Sequence, residues 1–321
     1  MILITGGTGF IGQVLTRQLV EAGYPVRMLI RPSPDSPSLP KGLPVEVAVS
    51  SLNDPRGLRA AMAGVDAVYH LAGTERLGPQ AKLLEVDIQG TLAVAQAAAE
   101  TGVERFFTLS HLGADRSSAY PLLKAKGIAE EHVRRSGVDY TIIRTAPVFG
   151  PGDTFTAGLA ALMQGLPFMF LIPGDGNSLL QPIWVEDLAT CLVWTLEDDR
   201  TRRQTFEVGG PEYLTFRQSV QAVMSTLGIE KRQVSLPPPY LRGLTLFLET
   251  IFPILPLSVF WIDYLAVNRT CPLDTVPRTF GLLPSRFPSK LGYLKDKNWR
   301  QVLWGAFLRR KPRKKKVKSD K

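Results

Sequence analysis

The chain has 321 residues, 45% hydrophobic and 21% charged, enough for one large core or a core with a smaller satellite domain. Two cysteines, Cys191 and Cys271, exclude a disulfide framework, and three histidines (His70, His111, His132) stand in no metal-ligand spacing, so a reducing compartment and no metal are expected. The net charge of +9 is local: residues 309–321 hold nine Lys or Arg and one acid, which leaves residues 1–308 near +1.

In chain order, short apolar runs alternate with helical patterns, as an α/β, doubly wound parallel sheet of the Rossmann type requires. Strands are predicted over 2–5, 26–30, 45–49, 67–71, 106–109 and 140–144. Helices are predicted over 10–22, 54–63, 80–101 and 119–136, and a loop rich in Pro, Ser and Gly covers 31–44. After Gly150 the pattern loosens, with one more strand over 205–208 and a helix over 215–227. From Leu236 to Pro288 prolines are frequent and only short helices are expected. The organisation read from this is a core over 1–150, a mixed region over 151–298 that returns to the core near 182–209 and otherwise forms a small substrate-facing lobe, and a tail over 299–321. The first strand follows Met1 directly, so no leader peptide is expected. The longest uncharged apolar run, between Glu249 and Asp263, is broken by Pro253 and Pro256 and is shorter than the roughly 18 residues a spanning helix needs.

The first strand runs straight into Thr5-Gly6-Gly7-Thr8-Gly9-Phe10-Ile11-Gly12. Gly6, Gly9 and Gly12 have separate mechanical uses: a tight turn, close backbone approach to a pyrophosphate, and tight packing of helix on strand. The helix start then turns its amides and the positive end of its dipole toward the phosphates. With a strand before it and an amphipathic helix after it, this motif meets its context test, and a nicotinamide dinucleotide is the expected ligand. An acid about 20 residues beyond the glycines would hold the ribose 2′-hydroxyl of NAD. None stands there, whereas Arg31 lies just past the second strand, where a guanidinium can pair with a 2′-phosphate. NADP(H) is therefore preferred over NAD(H), with a solvated loop arginine as the alternative use of Arg31. Leu71, Ala72 and Gly73 end the fourth strand with small or apolar residues against which the adenosine half can lie, and His70 reads as a packed strand residue.

Together with Tyr120-Pro-Leu-Leu-Lys124, Ile143-Arg144 to Gly150 and Trp184-Val-Glu-Asp187, these landmarks resemble the extended and atypical short-chain dehydrogenases/reductases. Within them, Ser110-His-Leu-Gly-Ala, Lys124-Ala-Lys-Gly-Ile-Ala-Glu, Asp153-Thr-Phe and Trp261-Ile-Asp-Tyr-Leu are similar to the group of the nucleotide-binding accessory subunit of respiratory complex I. The resemblance implies a tyrosine acting as general acid/base and a lysine four residues on, which share a helix face. Tyr120 and Lys124 have that spacing, and the resemblance casts them as the catalytic pair, with Lys124 also on the nicotinamide ribose. Other parts are eroded. Ser110 is the nearest candidate for the substrate-binding serine, although the aligned slot falls closer to Leu112. Asp87 replaces the relay asparagine, and Ser50-Ser51-Leu52 replaces the acid that meets adenine.

Residues 298–308 place Trp299, Leu303 and Phe307 on one helical face ahead of the basic run. Apolar anchors followed by cations suit an anionic lipid surface, with a solvated tail as the alternative. Nothing in the body resembles a base-reading element, so specific nucleic-acid binding is not expected. Two readings follow. The first is an NADP(H)-binding accessory or assembly factor of a membrane complex with weak or no turnover, cytoplasmic and peripheral at the inner face of a membrane. The second is an active NADP-dependent reductase, dehydrogenase or epimerase using Tyr120 and Lys124, on a hydrophobic or nucleotide-linked substrate.

Overall fold

The computed structural model describes residues 1–33, 39–40, 42–74, 81–165, 169–251 and 259–308. The basic run over 309–321, part of the 31–44 loop and part of the apolar run between Glu249 and Asp263 lie outside the described residues.

The main sheet has seven strands, all parallel: β1 (Ile2–Thr5), β2 (Val26–Ile30), β3 (Val45–Val49), β4 (Ala67–His70), β5 (Arg105–His111), β6 (Tyr140–Thr145) and β11 (Gln204–Val208), in the spatial order β11-β6-β5-β4-β1-β2-β3. Between them in sequence lie three short ladders. β7 (Val148–Phe149) pairs in parallel with β10 (Ile183–Trp184), β8 (Met169–Pro173) in parallel with β13 (Arg232–Leu236), and β9 (Leu179–Leu180) antiparallel with β12 (Leu214–Thr215).

The inner strands are largely apolar on successive residues because both faces of the sheet are covered there, whereas the edge strands β3 and β11 carry Glu46 and Glu207 and are partly exposed. Ile4, Met28, Tyr69, Phe107 and Ile143 pack under helices α1 (Phe10–Glu21) and α6 (Val185–Thr195). Their neighbours Leu3, Leu29, Val68, Phe106 and Ile142 pack under α2 (Pro55–Ala61), α3 (Thr91–Glu100) and α4 (Pro121–Arg135). This is the two-residue alternation of a strand, and each such side chain contributes roughly 1.5–3 kcal/mol by leaving water. A π-helical turn, Leu83–Gly90, runs into α3 and carries Asp87. Arg17 on α1 donates to both carboxylate oxygens of Glu186 on α6, which fixes the two helices side by side.

The lobe has its own core, built from α5 (Thr156–Gly165), α7 (Phe216–Leu227), the 3-10 segment Pro288–Asp296 and α11 (Trp299–Leu308). Thr215 opens α7 with a reciprocal capping box to Gln218, and Gly228 closes it in the left-handed conformation (φ 64°). Two expectations change here. Helix α8 (Pro238–Ile251) spans 14 residues despite the prolines, because Pro238 and Pro239 fall in its first turn, where no amide is needed. The segment beginning at Trp299 is not a free amphipathic tail: Trp299 and Leu303 are buried in the lobe core, and α11 sits so close to α5 that a Cβ on Gly165 would lie 2.0 Å from Leu303. Their apolar face is already used. Helix α9 (Val259–Tyr264) completes the lobe, whereas α10 (Thr275–Phe280) returns to the main domain, where Val276 and Phe280 join the core under α6 and β11.

Candidate functional site

A cavity of about 700 Å³ opens along the C-terminal edge of the main sheet, where an open α/β sheet takes its ligands. Its first half is the β1–α1 turn: Thr5, Gly6, Thr8, Gly9, Phe10, Ile11 and Gly12 all line it. Gly6 turns the chain at φ 71°, and a Cβ there would meet the backbone of Leu71 and Ala72 at 2.7 Å. A Cβ on Gly12 would lie 2.3 Å from the Gly6 carbonyl oxygen, so helix and turn touch with no room for a side chain. Gly9 is the N-cap of α1; no side chain caps the helix and its first turn holds no acid. The helix amides and dipole are thus presented to the cavity, where a pyrophosphate fits. The ends of the neighbouring strands supply the walls: Arg31 and Ser33 after β2, Ser50 to Asn53 after β3, and Leu71, Ala72, Gly73 and Thr74 after β4. Every residue predicted to hold the cofactor, apart from Tyr120 and Lys124, lies on this one cavity.

Behind the wall, a chain of hydrogen bonds fixes the strand ends. The Thr91 hydroxyl donates to the Asp87 carbonyl (2.7 Å), so it can only accept from His70 Nε2 (2.9 Å). His70 Nδ1 then accepts from the Thr5 hydroxyl at 2.8 Å. Burial, with Lys126 nearby, pushes the imidazole down to about 3. His70 is a neutral strut, as its sequence context suggests.

The lysine on the cavity is Lys126. Its ammonium donates to Asp87 Oδ1 at 2.9 Å, while the Thr74 amide (3.2 Å) and hydroxyl (2.6 Å) donate to Oδ2. Lys124 is exposed, Tyr120 is the N-cap of α4, and neither lines the cavity. The reason is helical phase. The buried face of α4 runs through Leu122, Leu123, Lys126, Ala129, Glu130 and Val133, and a residue two positions away is turned about 200° around the axis. Four residues before Lys126, on the same face, stands Leu122. The helix therefore brings a lysine to the site with leucine where the resemblance places the tyrosine.

Ser110 lines the cavity together with His111. Ser110 Oγ is buried beside Glu130 and helps hold that carboxyl down. Burial would raise Glu130, but the guanidinium of Arg144, which binds both its oxygens at 2.9 and 2.7 Å, and that of Arg134 outweigh it, and the net shift is downward. The slot aligned near Leu112 is turned away: Leu112 is buried with Ala146 and Cys271.

The far wall is Phe155 and the α9 residues Trp261 and Tyr264, which the sequence offers only as landmarks of the family resemblance and not as site residues. Tyr264 is the one tyrosine on the cavity among the described residues, and burial pushes its phenol well above the usual range, against a smaller opposing effect of Arg269. The Arg269 guanidinium lies 4.8 Å from the Tyr264 ring centre and donates to the carbonyls of Tyr264 (3.2 Å) and Leu112 (2.8 Å). It ties α9 to the end of β5, and a Cβ on Gly113 (φ 80°) would lie 2.4 Å from its Nη1. The positive φ and the missing side chain at Gly113 were readable only as a turn.

This fold and cavity define a Rossmann-type dinucleotide-binding protein. A family model described as NAD(P)H-binding matches residues 6–156. The chain is 31% identical over 247 residues to the mitochondrial NADH dehydrogenase (ubiquinone) 1 alpha subcomplex subunit 9 of Arabidopsis thaliana, covering 75% of this chain and 61% of that protein. It is 30% identical to ceramide reductase of Caulobacter vibrioides over 74% of each chain. With photosystem II assembly factor Ycf39 of Synechocystis it shares 25% identity over 312 residues, 92% of this chain and 90% of that one. Among solved structures, UDP-glucose 4-epimerase of Thermus thermophilus in complex with NAD superposes with a TM-score of 0.68 at 22% identity, over 92% of this chain and 97% of that one, and shares the fold. The chain belongs to the NAD(P)H-binding family, with the fold of short-chain dehydrogenases/reductases and epimerases.

When bound, the nicotinamide group supplies or accepts a hydride. The turn from Gly6 to Gly12 would hold its pyrophosphate, Leu71 to Gly73 its adenosine half, and Lys126 its nicotinamide ribose. Among the described residues no helix is long and apolar enough to cross a membrane.

Proposed function

We propose that this protein is an NADP(H)-binding accessory or assembly factor of a membrane complex, with weak or no turnover of its own. The observation that carries this is the pairing of Leu122 with Lys126 on the inner face of α4. The lysine that positions a ribose is kept, and the phenol that would exchange a proton with substrate is replaced by a hydrocarbon. A general acid contributes about 10²- to 10⁴-fold to rate, so its loss leaves binding intact and chemistry slow. Two of the relatives, the Arabidopsis subunit and Ycf39, are by name a respiratory-complex component and an assembly factor, which fits the same role. Arg31 is exposed on the cavity rim beside Ser33, with no acid at the end of β2; this supports the 2′-phosphorylated cofactor. The nine cations of residues 309–321 suit an anionic membrane surface at the inner face, each worth about 1 kcal/mol near such a surface.

The test uses the tagged full-length protein. Native electrophoresis of gently solubilised membranes is expected to show it migrating with a large complex. Deletion of residues 309–321 is expected to reduce sedimentation with anionic liposomes at low salt. Migration as a free protein, together with rapid NADPH consumption on a defined small molecule, would contradict the proposal.

A further inference from the structure

The cavity does not end where a dinucleotide would. Beyond Lys126 it continues into a chamber bounded by the ends of β5 and β6, the segment before α5, and α9. Its walls are Ser110, His111, Val148, Phe155, Trp261 and Tyr264. The aromatic rings form a connected band. Phe155 stacks on Trp261 with centroids 5.2 Å apart at 30°, Trp261 meets Tyr264 edge-on at 5.6 Å, and Tyr264 meets His111 edge-on at 5.9 Å. The band is held in place from behind, since the buried Arg269 fixes Tyr264 and the end of β5.

The charged residues that line the cavity are Arg31, Lys82, Glu85 and Lys126, and they lie toward the glycine-turn half, with Lys126 at the junction. No carboxylate, ammonium or guanidinium lines the chamber among the described residues. A nucleoside diphosphate brings two anionic phosphates that need cations or a free helix start to replace their water; among the described residues the chamber has no cation, and the helix start beside it, that of α5, is already taken by Asp153, which accepts from the Ala157 amide. Flat apolar surface buried against aromatic rings is favoured there instead.

We infer that the chamber binds an uncharged, flat, largely hydrocarbon molecule, and that it does not take a nucleotide-linked sugar. This rests on the reading of the glycine-turn half as the nicotinamide dinucleotide site, because the ligand would lie against the end of that cofactor. No chemical step is required of it.

The experiment titrates the full-length protein, with and without saturating NADPH, with prodan, an uncharged naphthyl ketone whose emission reports a dry site. Binding is expected, and UDP-glucose is expected not to displace it. Trp261→Leu and Val148→Lys should each weaken prodan binding about tenfold or more and leave NADPH affinity within about twofold, which also shows that the variants are folded. Prodan affinity unchanged in both chamber variants, or displacement by UDP-glucose, would overturn the inference. Chamber-dependent prodan binding in a protein that fails to bind NADPH would uphold the chamber and sink the cofactor reading instead.

Discussion

Lys126 and Asp87 form a buried ion pair at 2.9 Å that joins α4 to the π-helical turn before α3, directly beside the cavity. The pair is well satisfied, since Thr74 fills the second carboxylate oxygen from its amide and its hydroxyl. A buried pair of this kind contributes little over an apolar contact, but removing one partner strands the other charge. Asp87→Ala should therefore lower unfolding free energy by about 3 kcal/mol in urea titrations, and Asp87→Ala with Lys126→Met should recover most of the loss. A single variant as stable as the parent would show that the ammonium has another home.

The helical phase of α4 makes a sharp distinction between two lysines. Lys126→Met is expected to weaken NADPH binding about tenfold, as loss of a charge-assisted ribose contact does. Tyr120→Phe and Lys124→Ala should change it by less than about twofold. Fluorescence titration of the three variants checks this. A strong effect of Tyr120→Phe would restore the tyrosine and lysine pair suggested by spacing alone.

Much of the architecture could be read from sequence, and the errors have physical causes. Strands β2 and β3 were legible to the residue because each is a short aliphatic run, interrupted only by Arg27 in one and Glu46 in the other, between turn residues. The glycine turn was legible because each glycine answers a steric demand that only glycine meets. The lysine on the cavity lies two residues beyond the one the Tyr-x3-Lys spacing suggests, because that spacing was matched as a string. The buried face of α4, which starts at Leu122 and Leu123 and recurs at Ala129 and Glu130, selects Lys126 and excludes Lys124. Trp299 and Leu303 were read as membrane anchors because an amphipathic stripe does not say what covers it; α5 does. The chamber wall on α9 is brought to the end of β5 by tertiary packing; the stretch Trp261-Ile-Asp-Tyr-Leu marks the resemblance but says nothing of what it faces.

His70 gives a pH signature. Its imidazole is held neutral, down to about 3, by burial and by Lys126, whereas in the unfolded chain it titrates near ~6.5. Between these values the unfolded state binds the extra proton, so stability rises with pH and is complete above the unfolded value. The contribution of this group is lost on acidification at about 1.4 kcal/mol per pH unit below ~6.5. In urea unfolding, the stability difference between the parent and His70→Asn should shrink as pH falls from about 6.5 to 5. A difference independent of pH would mean that the folded protein protonates His70 at no cost.

Arg31 carries the cofactor preference. Arg31→Asp puts a carboxylate where the 2′-phosphate would lie, and should weaken NADPH by about a hundredfold while leaving NADH within a few-fold. The ratio of the two dissociation constants, measured before and after substitution, checks it. Equal effects on the two nucleotides would assign Arg31 to the solvent.

The central claim is that the β1–α1 turn grips a dinucleotide pyrophosphate, and calorimetric titration with NADPH tests it most directly, on the parent and on Gly9→Val. Gly9 lines the cavity at the start of α1, and its nearest non-neighbouring atom, the Gly6 carbonyl oxygen, would lie 3.1 Å from an added Cβ, so the fold tolerates the change better than at Gly12 while the phosphate does not. The account predicts saturable one-to-one binding to the parent and loss of at least about tenfold in the variant. No heat with NADPH or NADH in the parent, or unchanged binding in Gly9→Val, would contradict it.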